Sequence, residues 1–519
     1  MSAPAAVAQA PAEQPVQGGT MVVSLGANPD HLNLAISSSV IVALPAQAII
    51  EGLVRLDGAF APQPALAASW DVSPDNKTIT FHLRQGVKWH DGVPFTSADV
   101  KYSMENLTKL HSRAAAIFKN VMSVAAPDDL TVVVTLAQPF GPFLGFLTAD
   151  NVGILPRHLY EGTDPLKNPA NQHPVGTGPF KFQSWTPGQN LTFVRNDEYW
   201  DKGKPYLDKL VFSIIPDANA RVLALEAGEI DLITNYDMSV NDIERLKHTP
   251  NITIWQKGPI PRPLLLIFNT KSKPLDDARV RKALFRGLDR NLIRENAYAD
   301  EGDVGRSAIP PALAWAYNPA VDYMKSYAFD PKLANRELDE AGYPRGANNR
   351  RFAIRFAYDP GQGGFAELGE ILRGNWRDLG IEVTLEPRER NVWLDAVYAK
   401  KDFDTTVAWY LAGVDPAVGV DRAYLCSEVR PASFTNGSQY CNPDLDKLFN
   451  AARTTLDREA RAKAYREAQL IIERDLPTAV LMESPFAQAI NSRFGNIAAM
   501  FEFSNEVNAR FAEAYVKRK

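Results

Sequence analysis

The stretch that decides the fold comprises residues 65–107, ALAASWDVSPDNKTITFHLRQGVKWHDGVPFTSADVKYSMENL. Within it, residues 78–83 alternate apolar and polar side chains, the period-two pattern of a strand with one buried face. A turn at Asp91-Gly92 separates this strand from Thr96 and Asp99, whose spacing is that of a capping box at a helix start. The apolar residues that continue at helical spacing are Val100, Met104 and Leu107. The stretch therefore predicts a strand, a turn and a capped helix in quick succession.

Strands and helices alternate outward from this stretch along most of the chain. Short apolar runs predict strands at residues 20–25, 130–136, 190–195, 209–215, 381–385 and 404–409. Apolar periodicity predicts helices at residues 277–298, 331–341, 365–379 and 457–475. Such alternation favours an α/β fold in which helices cover a mixed or parallel sheet.

The chain is long enough for more than one domain. Its 519 residues exceed the size at which a single hydrophobic core stops growing, so we expect two or three domains. A break rich in proline and glycine at residues 258–263 precedes residues 272–487, which we predict to form one α/β lobe. Single crossings would connect this lobe to the rest of the chain at each end.

The composition is that of an ordinary globular protein and narrows the classes of function. Hydrophobic residues make up 45% and charged residues 23% of the chain, and the net charge is −5 with both signs mixed. Because no basic stripe is present to follow a phosphate backbone, we do not expect nucleic-acid binding. No apolar run approaches the roughly 20 residues that span a bilayer.

The first residues resemble the remnant of a secretory leader. Residues 1–17 are small, polar and proline-rich, and we expect them to be disordered. Ala8-Gln9-Ala10 resembles the end of a secretory signal whose apolar part is missing. We therefore expect an exported protein whose signal peptide was removed, with Met1 and Ser2 added afterwards. An ordinary flexible tail is the alternative.

Cys426 and Cys441 are the two cysteines of the chain, and they lie in a loop rich in Ser, Pro, Asn and Gly. A disulfide between them would restrain the unfolded chain by roughly 3 kcal/mol for a loop of this size. Two cysteines close in sequence fit an oxidising compartment, and no CxxC motif or histidine-rich partner supports a zinc site. We predict a disulfide between Cys426 and Cys441.

Sequence motifs for catalysis and metal binding are missing. Residues 176–179, Gly-Thr-Gly-Pro, lack the rest of a phosphate-binding loop, and the chain contains neither GxSxG nor HExxH. All seven histidines precede residue 272, which excludes a metal held by histidines from both sides of that boundary. We therefore predict no catalytic residue, metal or cofactor. A carboxylate pair across a cleft stays open, because sequence cannot pair such residues. His82 and His90 flank a turn and are expected to be exposed.

Residues 65–107 closely resemble the signature of the extracytoplasmic solute-binding proteins of ABC importers. They are similar to family 5, whose members bind dipeptides, oligopeptides, nickel chelates and opines. The resemblance continues through most of the chain, in the segments 175–185, 206–232, 274–293, 376–385 and 440–452. Agreement at so many ordered points is highly specific.

The resemblance implies a bilobed periplasmic-binding-protein fold of type II, in its large class, with the ligand cleft between the lobes. Lobe I would comprise residues 18–271 plus 488–519, and residues 60–175 would form a subdomain inserted in it. Lobe II would comprise residues 272–487, in agreement with the unit predicted from the alternation of strands and helices. The lobes would close on the ligand by a hinge motion.

In the first lobe, the resemblance places five residues at the ligand cleft. Ser38 and Ser39 fall where the ligand loop of the family lies, although they could instead cap a turn. Asn235 and Tyr236 follow the segment GEIDL at a cleft edge. Arg262 lies in the proline-rich crossing, where its forked guanidinium would suit a carboxylate or phosphate. A solvated surface position is the alternative for Arg262.

In the second lobe, the resemblance places five more residues at the cleft. Arg390, Trp393, Trp409 and Asn436 match positions that face the ligand in relatives, and Asp415 belongs to an Asp-Pro pair of the same loop. Trp409 ends a strand, and the loop YLAGVDP that follows would reach into the cleft. Without the resemblance, Trp393 would be assigned to the core.

One departure from the family pattern concerns the ligand. Peptide binders of this family place an Asp three residues after the Trp that corresponds to Trp409, where it pairs with the free amino group of the peptide. Here that position is Ala412. Loss of the carboxylate would remove a partner worth about 2–5 kcal/mol in a desolvated cleft. This argues against a plain peptide and makes opine-like, sugar-linked or other modified ligands comparable candidates; a second lobe without histidine disfavours nickel.

The resemblance implies the solute-binding component of an ABC transporter, which captures a small organic solute in the periplasm. It would deliver that solute to a permease and ATPase complex in the inner membrane, and we expect it to act as a monomer. The alternatives are a plain di- or oligopeptide receptor, a receptor for a metal chelate, and a receptor for chemosensing. An enzyme that uses cleft carboxylates is disfavoured by the missing motifs.

Overall fold

The computed structural model describes residues 15–37, 39–238, 240–256, 261–484, 487–502 and 509–518, so most of the predicted tail lies outside it. The α-helices of these ranges are Val40–Ala46, Ser97–Tyr102, Ser112–Phe118, Arg157–Tyr160, Ala218–Glu226, Val240–Lys247, Ala278–Arg286, Arg290–Ala297, Tyr323–Ser326, Pro331–Glu340, Phe365–Asp378, Arg390–Leu394, Pro416–Gly419, Pro443–Arg453, Arg458–Asp475 and Ile497–Met500. None of these helices has both the length and the apolar composition that crossing a membrane requires.

The first sheet joins segments from distant parts of the chain. In the described residues it has seven strands, in the spatial order Ile252–Gln256, Ala487–Asn491, Leu232–Ile233, Thr20–Leu25, Lys209–Ile214, Asn190–Arg195 and Phe180–Thr186. Thr20–Leu25 runs parallel to both of its neighbours, and the other pairs are antiparallel. Its residues Met21, Val23 and Leu25 are fully buried, so alternate side chains of this central strand face the core.

The second sheet has six strands in the described residues. Their spatial order is Asp303–Val304, Thr478–Glu483, Pro263–Phe268, Thr405–Trp409, Phe352–Tyr358 and Ile381–Pro387. Phe352–Tyr358 and Ile381–Pro387 are parallel, and the helix Phe365–Asp378 makes the crossover that a parallel pair requires. One face of this helix, with Leu368, Leu372 and Trp376, is buried against the sheet at helical spacing.

The chain enters the second sheet earlier than the boundary at residue 272 that we predicted. The strand Pro263–Phe268 pairs with Thr405–Trp409 on one side and Thr478–Glu483 on the other. All six of its residues are buried, because a central strand covered on both faces is apolar along its whole length. The return to the first sheet occurs at Ala487–Asn491, next to the predicted boundary at 488.

The third sheet contains the stretch that opened the sequence analysis. Its four antiparallel strands are ordered Ala67–Val72, Thr78–Leu83, Thr131–Leu136 and Val121–Asp128, with two smaller pairs elsewhere, Val54–Leu56 with Pro62–Pro64 and Phe494–Gly495 with Tyr515–Val516. The predicted strand and capped helix are confirmed, and Asp99 Oδ2 accepts a 2.9 Å bond from the Thr96 amide. The α-helix ends at Tyr102, however, and Ser103–Leu107 continue as a π-helical turn.

Two local predictions from the sequence are wrong. The single helix expected at 277–298 is two helices, because the chain turns at Gly287 and Asp289 caps the second helix by accepting from the Asn291 and Leu292 amides at 3.1 Å each. His90 is not an exposed hairpin residue: its ring bonds with the backbone of residues 176 and 178 at 3.2 and 3.0 Å. His82 is exposed as expected and lies 2.8 Å from Asp71.

Each of the three larger sheets has its own buried apolar cluster. The predicted disulfide is confirmed between Cys426 and Cys441, with the Cα atoms 4.6 Å apart. These observations describe a mixed α/β protein with a separate core around each large sheet.

Candidate functional site

A cavity of about 350 Å³ lies between the part of the chain that carries the first and third sheets and the part that carries the second. Its apolar lining from the first part is Val40, Phe60, Ile117 and Phe146. From the second part it is Leu411, Val414 and Val418, and Pro261 borders the cavity at the crossing between the sheets. A mostly apolar, concave site of this size is at the small end of ligand-binding pockets.

The loop after Trp409 forms the wall on the side of the second sheet. The amides of Tyr410 and Ala412 donate to the carbonyls of Pro263 and Pro261 at 2.9 and 2.7 Å, which holds the loop against the crossing. The helix Pro416–Gly419 ends the loop. The loop therefore presents residues 411, 413 and 414 to the cavity on a backbone that is fixed at both ends.

Three charged side chains line the cavity among the described residues. Arg113 and Asp150 lie on one side, with Arg113 Nη1 3.8 Å from the Asp150 carboxylate, and Asp150 is 6% exposed. Arg422 lies on the other side, where its Nε and Nη2 donate to the Gly419 and Leu411 carbonyls at 3.2 Å each. The cavity can thus contact an apolar body and groups of either charge.

The residues predicted for the first lobe lie around the crossings. Ser38 is outside the described residues, and the side chain of Tyr236 is not described either. Ser39 precedes the helix Val40–Ala46, and its side chain makes no capping bond to that helix among the described residues. Asn235 Oδ1 accepts from the Ala487 amide at 3.1 Å, which ties its loop to the strand that returns to the first sheet.

Arg262 and Trp409 lie together beside the cavity. The Arg262 guanidinium is 5.6 Å from the centre of the Trp409 ring, a cation–π distance. Trp409 also meets Tyr298 edge to face at 5.7 Å. Both residues come from the segments that border the crossing, but neither lines the 350 Å³ cavity itself.

The other residues predicted for the second lobe are held by internal contacts. Arg390 pairs with Asp359 at 3.2 Å, and Trp393, 2% exposed, donates to Thr406 Oγ1 at 2.8 Å. This burial agrees with the alternative that Trp393 belongs to the core. Contact of either residue with a ligand stays a prediction.

Asp415 and Asn436 are buried as well. Asp415 Oδ1 accepts from Arg461 Nη2 at 2.6 Å and also from the Ala417 amide at 3.0 Å, as the cap of a short helix. Asn436 Nδ2 donates to the Leu425 and Tyr440 carbonyls at 3.2 and 2.7 Å. Their polar atoms hold loops in place, so a direct role at the ligand stays a prediction.

The sequence analysis missed the charged residues of the cavity. Arg113 and Asp150 belong to the region predicted as an inserted subdomain, none of whose residues we assigned to the cleft. Arg422 follows the predicted cleft loop but carries no motif. Sequence offers no signal for them, because their placement depends on contacts between distant segments.

Comparison with known proteins identifies the family. Residues 61–429 match the family model described as bacterial extracellular solute-binding proteins, family 5. The chain belongs to this family. This family 5 solute-binding protein is 28% identical over 444 residues to the dipeptide-binding protein of Escherichia coli K12, with 81% of each chain covered. It is 30% identical over 439 residues to heme-binding protein A of Haemophilus influenzae, covering 80% of this chain and 78% of the relative.

Solved structures show the same fold for the family 5 solute-binding protein. HbpA2 from Haemophilus parasuis superposes with a TM-score of 0.85 at 26% identity, covering 96% of this chain and 100% of that one. The periplasmic binding protein DppA from Helicobacter pylori, in complex with the peptide STSA, has a TM-score of 0.72 at 28% identity, with 97% and 99% covered. The bilobed α/β fold implied by the sequence is confirmed.

Proposed function

We propose that this protein captures a small organic solute in the 350 Å³ cavity and delivers it to the permease and ATPase of an ABC importer. The proposal rests on one observation. Residues from the part of the chain that carries the first and third sheets and from the part that carries the second sheet both line the cavity, and Pro261 borders it at the crossing between them. A site built this way is completed or broken by movement of one lobe against the other, as in hinge closure.

The proposed lobes follow the sheets. Lobe I comprises the strands of the first sheet with the four-stranded sheet as its inserted subdomain, and lobe II runs from Pro263 to Glu483. Compared with the predicted division into 18–271 plus 488–519 and 272–487, this proposal begins lobe II at residue 263 and ends it at residue 483.

The proposed ligand is a peptide, an opine or a related conjugate of an amino acid or sugar. Relatives are named for dipeptides and for glutathione, which share an amino-acid backbone. A plain di- or oligopeptide is the alternative, although alanine at 412 leaves its amino group without the carboxylate that the resemblance leads us to expect there.

The proposed location is the periplasm, with the protein acting as a monomer that binds and releases its ligand unchanged. Membership of an extracellular solute-binding family supports this location and a transport role.

The test uses protein that has been purified without removing any solute bound to it. Mass spectrometry identifies the bound solute, and small-angle scattering before and after its removal and return measures closure of the lobes. We expect the solute to make the protein more compact and to be recovered chemically unchanged after long incubation. A chemically converted solute, or no compaction by the recovered solute or by a peptide and opine panel, would contradict the proposal.

A pair of variants locates the site. Leu411 lines the cavity and is 41% exposed, so Leu411→Asp puts a charge into the apolar site without opening a core. Leu470 is 48% exposed on the helix Arg458–Asp475, away from the cavity lining. We expect Leu411→Asp to weaken solute binding by about tenfold or more and Leu470→Asp to leave it unchanged. Equal affinities would place the ligand elsewhere.

A further inference from the structure

We propose that a second cavity, lined by Trp70, Trp315 and Arg458, binds a small aromatic carboxylate. This cavity has a volume of about 240 Å³ and lies beside the 350 Å³ cavity. Phe60 and Val414 line both cavities, whereas the charged side chains that line them differ. The second cavity is therefore a neighbouring but separate site, and binding there does not depend on the function proposed for the first cavity.

The walls of the second cavity come from two distant parts of the chain. Phe60 and Trp70 belong to the part that carries the first and third sheets, and Trp315 belongs to the part that carries the second sheet. Trp70 and Trp315 are both half-buried, so each indole keeps accessible surface. Aromatic walls favour an aromatic ligand. Because the volume is below the roughly 300 Å³ of pockets for drug-sized molecules, we expect a ligand with a single ring.

Arg458 brings accessible hydrogen-bond donors to this cavity. Its Cζ atom lies 5.1 Å from the centre of the Trp315 ring, which supports the guanidinium by a cation–π contact. Its Nη2 donates to the Ala59 carbonyl at 2.6 Å, whereas its Nε and Nη1 atoms make no hydrogen bond to the described residues and are not buried. Two accessible donors of a planar guanidinium match the two oxygens of a carboxylate.

A purely structural role explains Arg458 less well. The bond to Ala59 requires a single N–H donor, which a neutral side chain would also supply. Arg458 is the first residue of the helix Arg458–Asp475, where the helix dipole disfavours a cation. Burial also lowers the pKa of the Arg458 guanidinium, because desolvation disfavours the charged form. A bound anion would offset both costs.

The charges of the lining favour an anion with a single negative charge. Arg461 and Asp415 also line the cavity, but they pair with each other at 2.6 Å. Arg458 forms no ion pair with a carboxylate of the described residues, and the nearby Asp57 accepts from two amides of its own turn at 2.9 Å each. One unbalanced positive charge matches a carboxylate. A phosphate dianion would bring more charge than Arg458 neutralises, and a cation would be repelled.

The test titrates benzoate, benzamide and cyclohexanecarboxylate into the wild-type protein after any bound solute has been removed. Nuclear magnetic resonance of the small molecule measures the dissociation constants, including weak ones. We expect benzoate to bind at least about tenfold more tightly than benzamide, which has the same ring without the charge. Cyclohexanecarboxylate keeps the charge but lacks the aromatic ring, and we expect it to bind about threefold more weakly than benzoate.

Two variants of the helix Arg458–Asp475 test whether Arg458 binds the carboxylate. In Arg458→Gln, the difference between benzoate and benzamide should shrink to less than about threefold, because the unbalanced cation is removed. Lys463→Gln removes an exposed cation of the same helix that does not line the cavity, and it should keep the full difference. The solute that co-purifies with the protein should bind without displacing benzoate.

Four results would overturn the inference. No binding of benzoate, or equal affinities for benzoate and benzamide, would show that no carboxylate is recognised, and this comparison needs no variant to fold. Equal affinities for benzoate and cyclohexanecarboxylate would remove the aromatic part of the ligand. An unchanged difference in Arg458→Gln, with a native melting temperature, would assign the carboxylate to another group. Displacement of benzoate by the co-purified solute would place benzoate in the 350 Å³ cavity.

Discussion

At the residue scale, the pKa shift of Glu51 is the most informative one outside the cavity. Its carboxyl is largely buried and accepts hydrogen bonds from Trp200 Nε1, Tyr199 Oη and Thr177 Oγ1 at 2.9, 2.8 and 2.9 Å. Burial raises the pKa of Glu51 from 4.5 to about 7, although the three donors oppose the shift. The folded protein therefore holds a proton between pH 4.5 and 7 that the unfolded chain has released.

This pKa predicts the pH dependence of a Glu51→Gln variant. The stability from Glu51 is fully present below pH 4.5 and is lost as the pH rises through 7, by about 3 kcal/mol in total. Glutamine cannot ionise, so the stability of wild type minus variant should fall over this range. Urea unfolding at a series of pH values measures the difference. A difference that stays flat across this pH range for Glu51→Gln would contradict the prediction.

At the scale of elements, the turn between the helices Ala278–Arg286 and Arg290–Ala297 depends on packing. A Cβ on Gly287 would lie 2.4 Å from Leu379 Cδ1, whereas one on Gly374, inside the helix Phe365–Asp378, would meet nothing within 4 Å. We expect Gly287→Ala to destabilise the protein by about 1–3 kcal/mol through overpacking.

Gly374→Ala is the matched substitution and should stabilise by up to about 1 kcal/mol, because alanine is the better helix former. Both values come from denaturant unfolding. Equal effects of the two substitutions would show that contact with Leu379 does not determine the turn at Gly287.

At the scale of the whole molecule, an ion pair joins the part of the chain that carries the first sheet to the part that carries the second. Lys247 Nζ, in the helix Val240–Lys247, lies 2.7 Å from Glu301 Oε1, and Gln256 Nε2 donates to Glu301 Oε2 at 3.1 Å. The Glu301 side chain is 7% exposed. The Gly141 amide likewise donates to the Arg453 carbonyl at 2.7 Å. Two contacts therefore join the part of the chain that carries the first and third sheets to the part that carries the second.

Loss of the ion pair between Lys247 and Glu301 should lower the free energy of unfolding of the protein. We expect Glu301→Gln to destabilise the protein by about 2 kcal/mol, because the buried carboxylate that accepts a charge-assisted hydrogen bond from Lys247 becomes a neutral amide. Glu244, which lies 3.2 Å from the same Lys247 but is 61% exposed, is the control, and Glu244→Gln should cause no measurable change. Urea unfolding measures both variants. Equal losses, or none, would show that burial of the pair is unimportant.

Local patterns determined much of this protein. The alternation at 78–83, the capping box at Thr96 and Asp99, and most helices follow from spacings of a few residues, which act before the chain is folded. The disulfide between Cys426 and Cys441 could also be predicted, because the two residues are close in sequence. The ordered motifs likewise sufficed to predict the family and its bilobed fold.

The tertiary structure alone brought the cavity-lining residues together. The assignment of 263–268 to the second sheet, the helix break at Gly287 and the presence of Asp150 and Arg422 in the lining of one cavity depend on partners far away in the chain. A sequence shows that a carboxylate exists, but the cost of its burial and the donors within reach are set by packing. For that reason the sequence sufficed to predict a solute-binding protein, whereas only the folded structure shows which side chains line the cavity between the sheets.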